Sequence, residues 1–155
     1  GISLDLVDVG TEANENSHKM ALSPTGSCGS LNEQTFRDCQ PGQWFEYGFD
    51  CSKFADDIAK ADSVTLLLHL SLSDRSRGGT ISVDGKTVYK LNIPSSSKGS
   101  GKDKVYDLPV NLSASLFKGK MVARIKFQAP NNAFFPRLYT ARLMKYDAKV
   151  LSGYK

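Results

Sequence analysis

The sequence predicts an all-β protein, an antiparallel β-sandwich with one short helix, and three observations carry that reading. The first is the stretch Gly78 to Pro94, GGTISVDGKTVYKLNIP. Ile81 and Val83 alternate with polar residues, Asp84-Gly85 follows, and Val88, Tyr89, Leu91 and Ile93 come after it. A type I′ turn needs positive φ at both central residues, and Asp-Gly supplies it, so this stretch reads as a tight hairpin. The second is Lys120 to Gln128, where Met121, Ala123, Ile125 and Phe127 alternate with Lys120, Val122, Arg124 and Lys126, one face in and one face out. The third is the recurrence of turn residues between eight or nine such runs, which is the spacing of a sandwich.

The chain of 155 residues is long enough for a two-layer core and is read as one domain, 1–155. Apolar residues make up 40%, enough to fold, and the longest apolar run is too short to span a membrane. The N-terminal GISLDLVDVG has neither a charged start nor an apolar core, so no signal peptide is predicted there; the glycine start suits a mature protein or an excised module. The net charge of +4 is spread along the chain, and its densest cluster, Lys98, Lys102 and Lys104, lies in SSSKGSGKDK, a solvated loop. No basic helix and no aromatic-basic repeat accompanies it, so no nucleic-acid partner is predicted.

Taken in order, Ile2 to Val9 alternates as a half-buried strand, Gly10 to Ser17 is polar and reads as a loop, and His18 to Leu22 reads as a second short strand. Ser23 to Gly42 reads as a long irregular segment, and a loop of that length needs a function or a staple. It holds two of the three cysteines. A disulfide between Cys28 and Cys39 would close a polar loop of about a dozen residues, worth on the order of 3 kcal/mol, and would leave one cysteine over. Zinc is not expected, because there is no Cys-x-x-Cys and His18 and His69 are remote.

Trp44 to Phe49 is the next strand, with Trp44, Glu46 and Gly48 on one face and Phe45, Tyr47 and Phe49 on the other; the lone tryptophan is assigned to the core. Ser52 to Ala61 is the helix, capped by Ser52, with Phe54 and Ile58 one turn apart. Val64 to Leu72 is apolar on much of both faces and should be a central strand, with His69 a hydrogen-bonded strand histidine. After the hairpin comes a loop from Ser95 to Lys104, then an extended Lys104 to Leu112 in which Pro109 argues for an edge position or a bulge. Asn111-Leu112-Ser113 is a sequon, relevant only in a secreted eukaryotic setting. APNNAFFP is a loop, and Arg137 to Val150 is a last strand that can pair with the first.

In this order the turn and aromatic strand Gly42-Gln43-Trp44-Phe45-Glu46-Tyr47-Gly48-Phe49, the segment Gly79 to Val88 with its Val83-Asp84-Gly85-Lys86, and the late strand Gly119 to Phe127 form a pattern. It resembles jelly-roll modules of galactose-binding-like fold, especially family 6 and family 35 carbohydrate-binding modules and malectin-like domains, over about Gly42 to Lys145. The chain departs from them where Met121 or Val122 stands in place of the late-strand histidine. The resemblance implies non-catalytic binding of an oligosaccharide or polysaccharide at loops on one end of the sandwich. Phe36, Tyr106 and Asn131 or Asn132 would be the matching positions. Phe134, Phe135 and Arg137 add flat rings and a charged donor beside those asparagines, the mixture that a sugar with an apolar face and a hydroxyl edge needs. The same rings also read as packing residues: Phe36 in the core or against its loop, Tyr106 in the core, and one of Phe134 and Phe135 as a plug in the open end. The resemblance further implies a structural calcium between the terminal strands, for which Asp5, Asp8 and Asp147 would serve.

No Gly-x-Ser-x-Gly, His-Glu-x-x-His or phosphate-cradling loop is present, and no carboxylate pair is spaced for glycoside hydrolysis, so no enzyme activity is predicted. The expected role is a glycan-binding module of a secreted or surface protein. The alternative is a protein-interaction or structural ectodomain on the same scaffold.

Overall fold

The computed structural model describes residues 1–23, 27–31, 33–72, 77–92 and 104–146. Among these, eleven strands and two short α-helices form two antiparallel sheets. Strands β3 (Ser27–Leu31), β4 (Gln34–Asp38), β11 (Arg137–Lys145), β6 (Ser63–Leu72) and β9 (Lys104–Ser113) lie side by side, with β1 (Ile2–Asp8) also paired to β11; this is sheet A. Sheet B runs β2 (Ala21–Leu22), β5 (Trp44–Asp50), β10 (Val122–Gln128), β7 (Gly78–Val83) and β8 (Lys86–Asn92).

The core between the sheets follows from alternation. Leu66, Leu68, Leu70 and Leu143 from sheet A meet Phe45, Tyr47, Phe49, Ile81, Ile125 and Phe127 from sheet B, all fully buried. As expected, β6 is central, flanked by β11 and β9, and β9 with its Pro109 is an edge. Asp84 and Gly85 have φ of 48° and 85°, the pair of positive values a type I′ turn requires. β11 pairs with β1 from Lys145 to Thr140, as its position in the chain suggested, though it ends at Lys145 rather than Val150; residues 147–155 lie outside the described part. Gly79, at φ 150°, lies against β10 and Phe135: a Cβ there would meet the Gln128 carbonyl oxygen at 2.4 Å.

Several elements depart from the sequence reading. Gly10 to Ser17 is not a loop throughout: it contains helix α1 (Glu12–Ser17), six residues long and without a side-chain cap. So short a helix is marginal alone. Tertiary contacts form it, because Asn14 accepts from the Asp8 amide at 2.8 Å and donates to the Leu6 carbonyl at 3.0 Å. Glu15, one residue on, enters a buried clasp, accepting from Arg37 Nε and Nη2 at 3.0 Å each and from the Tyr47 hydroxyl at 2.6 Å. The clasp ties α1 to one strand of each sheet. Burial, reinforced by the bond to Glu15, pushes the Tyr47 phenol far above its ordinary value, so it stays a donor. His18 ends the helix, and the second strand shrinks to Ala21–Leu22.

The segment 23–42 is not irregular either, because it holds the β3–β4 hairpin. Nor is it stapled. Cys39 is a buried free thiol that donates to the Gln43 carbonyl at 3.2 Å, and in the hairpin register Cys28 stands opposite Arg37, so the expected Cys28–Cys39 disulfide is not formed. Main-chain pairing does the work assigned to the staple. Burial pushes the Cys39 thiol up to about 12, which keeps it protonated. The expected helix is a 3-10 turn, Cys51–Phe54, running into α2 (Ala55–Ala59), and its cap is Asp50, which accepts from the Ser52 amide at 3.1 Å.

His18 is buried, with Nε2 2.9 Å from Asp5 Oδ1 and Nδ1 2.7 Å from the Asn14 carbonyl. Both partners are acceptors, so the site favours the doubly protonated ring. The hydrogen bond to Asp5 raises its pKa above 6.5, against opposition from burial, and the Asn14 carbonyl adds to the rise. The native state therefore holds this proton more tightly than the unfolded chain. The stabilisation is complete below pH 6.5 and is lost as pH climbs through the raised native value. Melting temperatures taken between pH 5.5 and pH 8.5 should fall with pH, and His18→Gln should flatten that slope; an unchanged slope in the variant would show that other groups set it.

Candidate functional site

The loops of one end of the sandwich, 40–43 and 129–136, follow from where β5 starts, β10 ends and β11 begins. They are laced together: the Gly42 amide donates to the Pro130 carbonyl at 2.9 Å, Ala129 to Gln43 at 2.9 Å and Phe135 to Cys39 at 3.0 Å. This scaffold separates the residues that the sequence grouped. Phe135 is fully buried among Phe45 and Phe127, with ring centroids 5.7 and 5.6 Å away, so it is the plug and offers no surface to a ligand. Phe134 is half-buried with the Arg77 guanidinium 5.6 Å from its ring. Arg77 itself is buried and donates to Asp38 and to the Phe135 carbonyl. Phe36 is 9% exposed on the outward side of sheet A, edge-on to Tyr139 and covered by the Arg137 guanidinium at 5.0 Å. Tyr106 stands opposite Leu70 on β9, and its side chain lies outside the described part. Asn131 and Asn132 are exposed, and Asn131 Oδ1 lies 3.6 Å from where a Cβ on Gly42 would sit. The structure thus brings Phe36 to Arg137, sets Asn131 beside Gly42 just ahead of β5, and withdraws Phe135.

The asparagines lead to a residue that the sequence reading had placed in the core. Trp44 is half-buried on the outward face of sheet B, opposite in side to Phe45, Tyr47 and Phe49. Ser23 pins its strand by donating to the Trp44 carbonyl at 3.1 Å and accepting from its amide at 3.0 Å. The register sets Trp44, Gln128, Thr80 and Lys90 in one row across four strands. Below it a second row runs Glu46, Lys126, Ser82 and Thr87. The Lys126 ammonium lies 4.4 Å from the centre of the Trp44 ring, and Glu46 is held by Arg124 Nε at 2.7 Å. The arrangement is an open sheet face with one large ring, an amide, hydroxyls and cations. Neighbouring strands are about 4.8 Å apart, so the Trp44 row spans about 14 Å.

Of the residues named for calcium, Asp147 lies outside the described part. Asp8 accepts from the Thr11 hydroxyl at 2.8 Å, and Asp5 Oδ1 takes both His18 and the Leu6 amide, while Asp5 Oδ2 is buried without a hydrogen-bond partner among the described residues. Calcium takes six or more oxygens, and among the described residues no cluster of acidic, histidine or cysteine side chains converges to hold an ion. At the opposite end a groove of about 490 Å³ is lined by Cys51, Ala55, Ile58, Ala59, Phe117 and Met121. Among the described residues no helix is long and apolar enough to cross a membrane.

Residues 1–144 match the profile of a family described as "Family of unknown function (DUF6805)". The chain belongs to this family. No curated protein matches it in sequence. Solved structures do match the DUF6805 chain in fold. A family 35 carbohydrate-binding module from Clostridium thermocellum superposes with a TM-score of 0.55 at 12% identity, over 82% of this chain and 92% of that one. A family 6 module from Cellvibrio mixtus lichenase 5A, solved in complex with cellotriose, gives 0.56 at 15% identity, over 94% and 100%. The Phanerochaete chrysosporium exo-β-1,3-galactanase gives 0.57 at 15% identity, over 92% of this chain but 29% of the enzyme. The DUF6805 chain therefore has the β-sandwich fold of family 6 and family 35 modules, as its motifs suggested.

Proposed function

We propose that this chain is a non-catalytic glycan-binding module that works outside the cell or at its surface, and that its sugar-stacking residue is Trp44. The observation that carries this reading is the outward Trp44 ring, on a polar sheet face, in register with Gln128 and Thr80. A pyranose presents C–H groups on one face and hydroxyls at its edge, which a ring flanked by an amide and a hydroxyl complements. The fold shared with carbohydrate-binding modules supports the reading. The carboxylate nearest the ring in register, Glu46, is tied to Arg124, which suits binding rather than hydrolysis.

Affinity electrophoresis over a panel of polysaccharides tests it. An open, single-ring site should bind in the micromolar to millimolar range, about −4 to −8 kcal/mol. Trp44→Ala should weaken binding roughly tenfold or more, about 1.5 kcal/mol, with the fold intact by circular dichroism. Retained binding in Trp44→Ala, with loss in Phe134→Ala and Asn132→Ala, would move the site to the loop end.

Met121, 76% exposed at the mouth of the far groove, favours a second reading, a protein-contact face on the same scaffold. Met121→Glu should then abolish a partner captured by the wild type while leaving glycan binding untouched.

A further inference from the structure

The ring that a sugar would stack on is already covered. Lys126 projects from β10, next to β5, and lays its ammonium 4.4 Å from the centre of Trp44. Its cross-strand neighbour Glu46 is taken by Arg124, and among the described residues no carboxylate pairs with Lys126. Lys90, exposed at the far end of the Trp44 row about 14 Å away, likewise has no carboxylate partner among them. The upper half of the sheet face therefore carries two cations that no carboxylate among the described residues neutralises.

A neutral sugar must push Lys126 off the ring and forfeit its cation–π contact. It offers the displaced ammonium only neutral hydroxyl acceptors in return. An acidic sugar gives the displaced ammonium a charge-assisted partner at the edge of the same ring. A polymer lying across the strands would meet Lys90 with a later charge. From this we infer that the Trp44 face selects an anionic glycan, bearing carboxylate or sulfate groups, and that Lys126 is the residue that discriminates against neutral sugars. The inference rests on the Trp44 reading above, and the experiment is chosen to separate the two.

Binding is measured to polygalacturonate and its methyl ester, and to dextran sulfate and dextran, with wild type, Lys126→Gln, Trp44→Ala and the control Lys60→Gln at the exposed C-terminal cap of α2. One charged polymer should bind at least tenfold tighter than its neutral form, and the arm that does so identifies carboxylate or sulfate as the recognised group. Lys126→Gln should remove most of that preference and tighten binding of the neutral form a few fold, because it uncovers the ring; Lys60→Gln should change nothing. Equal, Trp44-dependent binding of charged and neutral forms would overturn the charge selection and leave the Trp44 site standing. Unchanged binding in Trp44→Ala would overturn the site itself. Equal losses in Lys126→Gln and Lys60→Gln, or no binding to either acidic polymer, would also overturn the selection, the former by showing only diffuse attraction of a basic protein for polyanions.

Discussion

Replacing Glu15 by alanine is expected to remove about 3–5 kcal/mol of folding stability, because it leaves a charge in the interior without its carboxylate. Arg37 and Glu15 are both nearly inaccessible, joined through two bonds of 3.0 Å, and Tyr47 adds a third at 2.6 Å. Removing Glu15 strips the acceptor from all three donors at once. It also frees α1, which has no cap of its own and would not persist at six residues. Domains of this kind hold about 5–15 kcal/mol in total, so the loss is roughly a fifth of the fold's stability or more. At about 2–4 °C per kcal/mol for a chain of this size, the melting temperature should drop by roughly 10 °C. Urea melts are the measurement. Glu15→Gln, which keeps the shape and two acceptor lone pairs, should lose less. Replacing Glu15 and Arg37 together by leucine and methionine should recover part of the loss, since an apolar pair of similar volume spares the desolvation of two ions. A single-variant loss below about 1 kcal/mol would mean that the clasp does not hold α1 in solution.

Phe135→Ala is expected to cost a similar 3–5 kcal/mol, the range for emptying a buried aromatic position. Its ring closes a cluster with Phe45 and Phe127 and packs onto Gly79, where even a Cβ would stand 2.5 Å from the Phe135 ring. Nothing larger than glycine fits under that ring, and nothing smaller than the ring fills the space above the glycine. The sequence had offered Phe135 as a ligand residue, and the two roles predict different results. A core residue lowers the urea midpoint while glycan affinity, measured well below the melting temperature, stays within about twofold; a binding residue does the reverse.

Much of the sandwich is legible along the chain because its strands alternate strictly and its turns carry the residues their dihedrals demand. The 81–89 hairpin and β10 could be read from six or seven residues each. The outward Trp44 was legible too: the alternation that gives Phe45, Tyr47 and Phe49 one face assigns Trp44 to the face of Glu46 and Gly48, and the polar side of a sheet faces water. Preference for burying a lone tryptophan obscured that. The hairpin β3–β4 gave no such signal. SCGSL has no apolar alternation, and its place is fixed by β4 pairing with β11 at Leu138, about a hundred residues further on.

The chain alone determined the class of fold, the central place of β6 and the tight turn at Asp84-Gly85, since each depends on side chains within a few residues of one another. Only the tertiary structure decided that Cys39 stays a thiol, that Phe135 is core, that α1 exists and that Lys126 covers Trp44. Those outcomes depend on which strands become neighbours. Register between strands is set by how the whole core closes, so local sequence leaves it open.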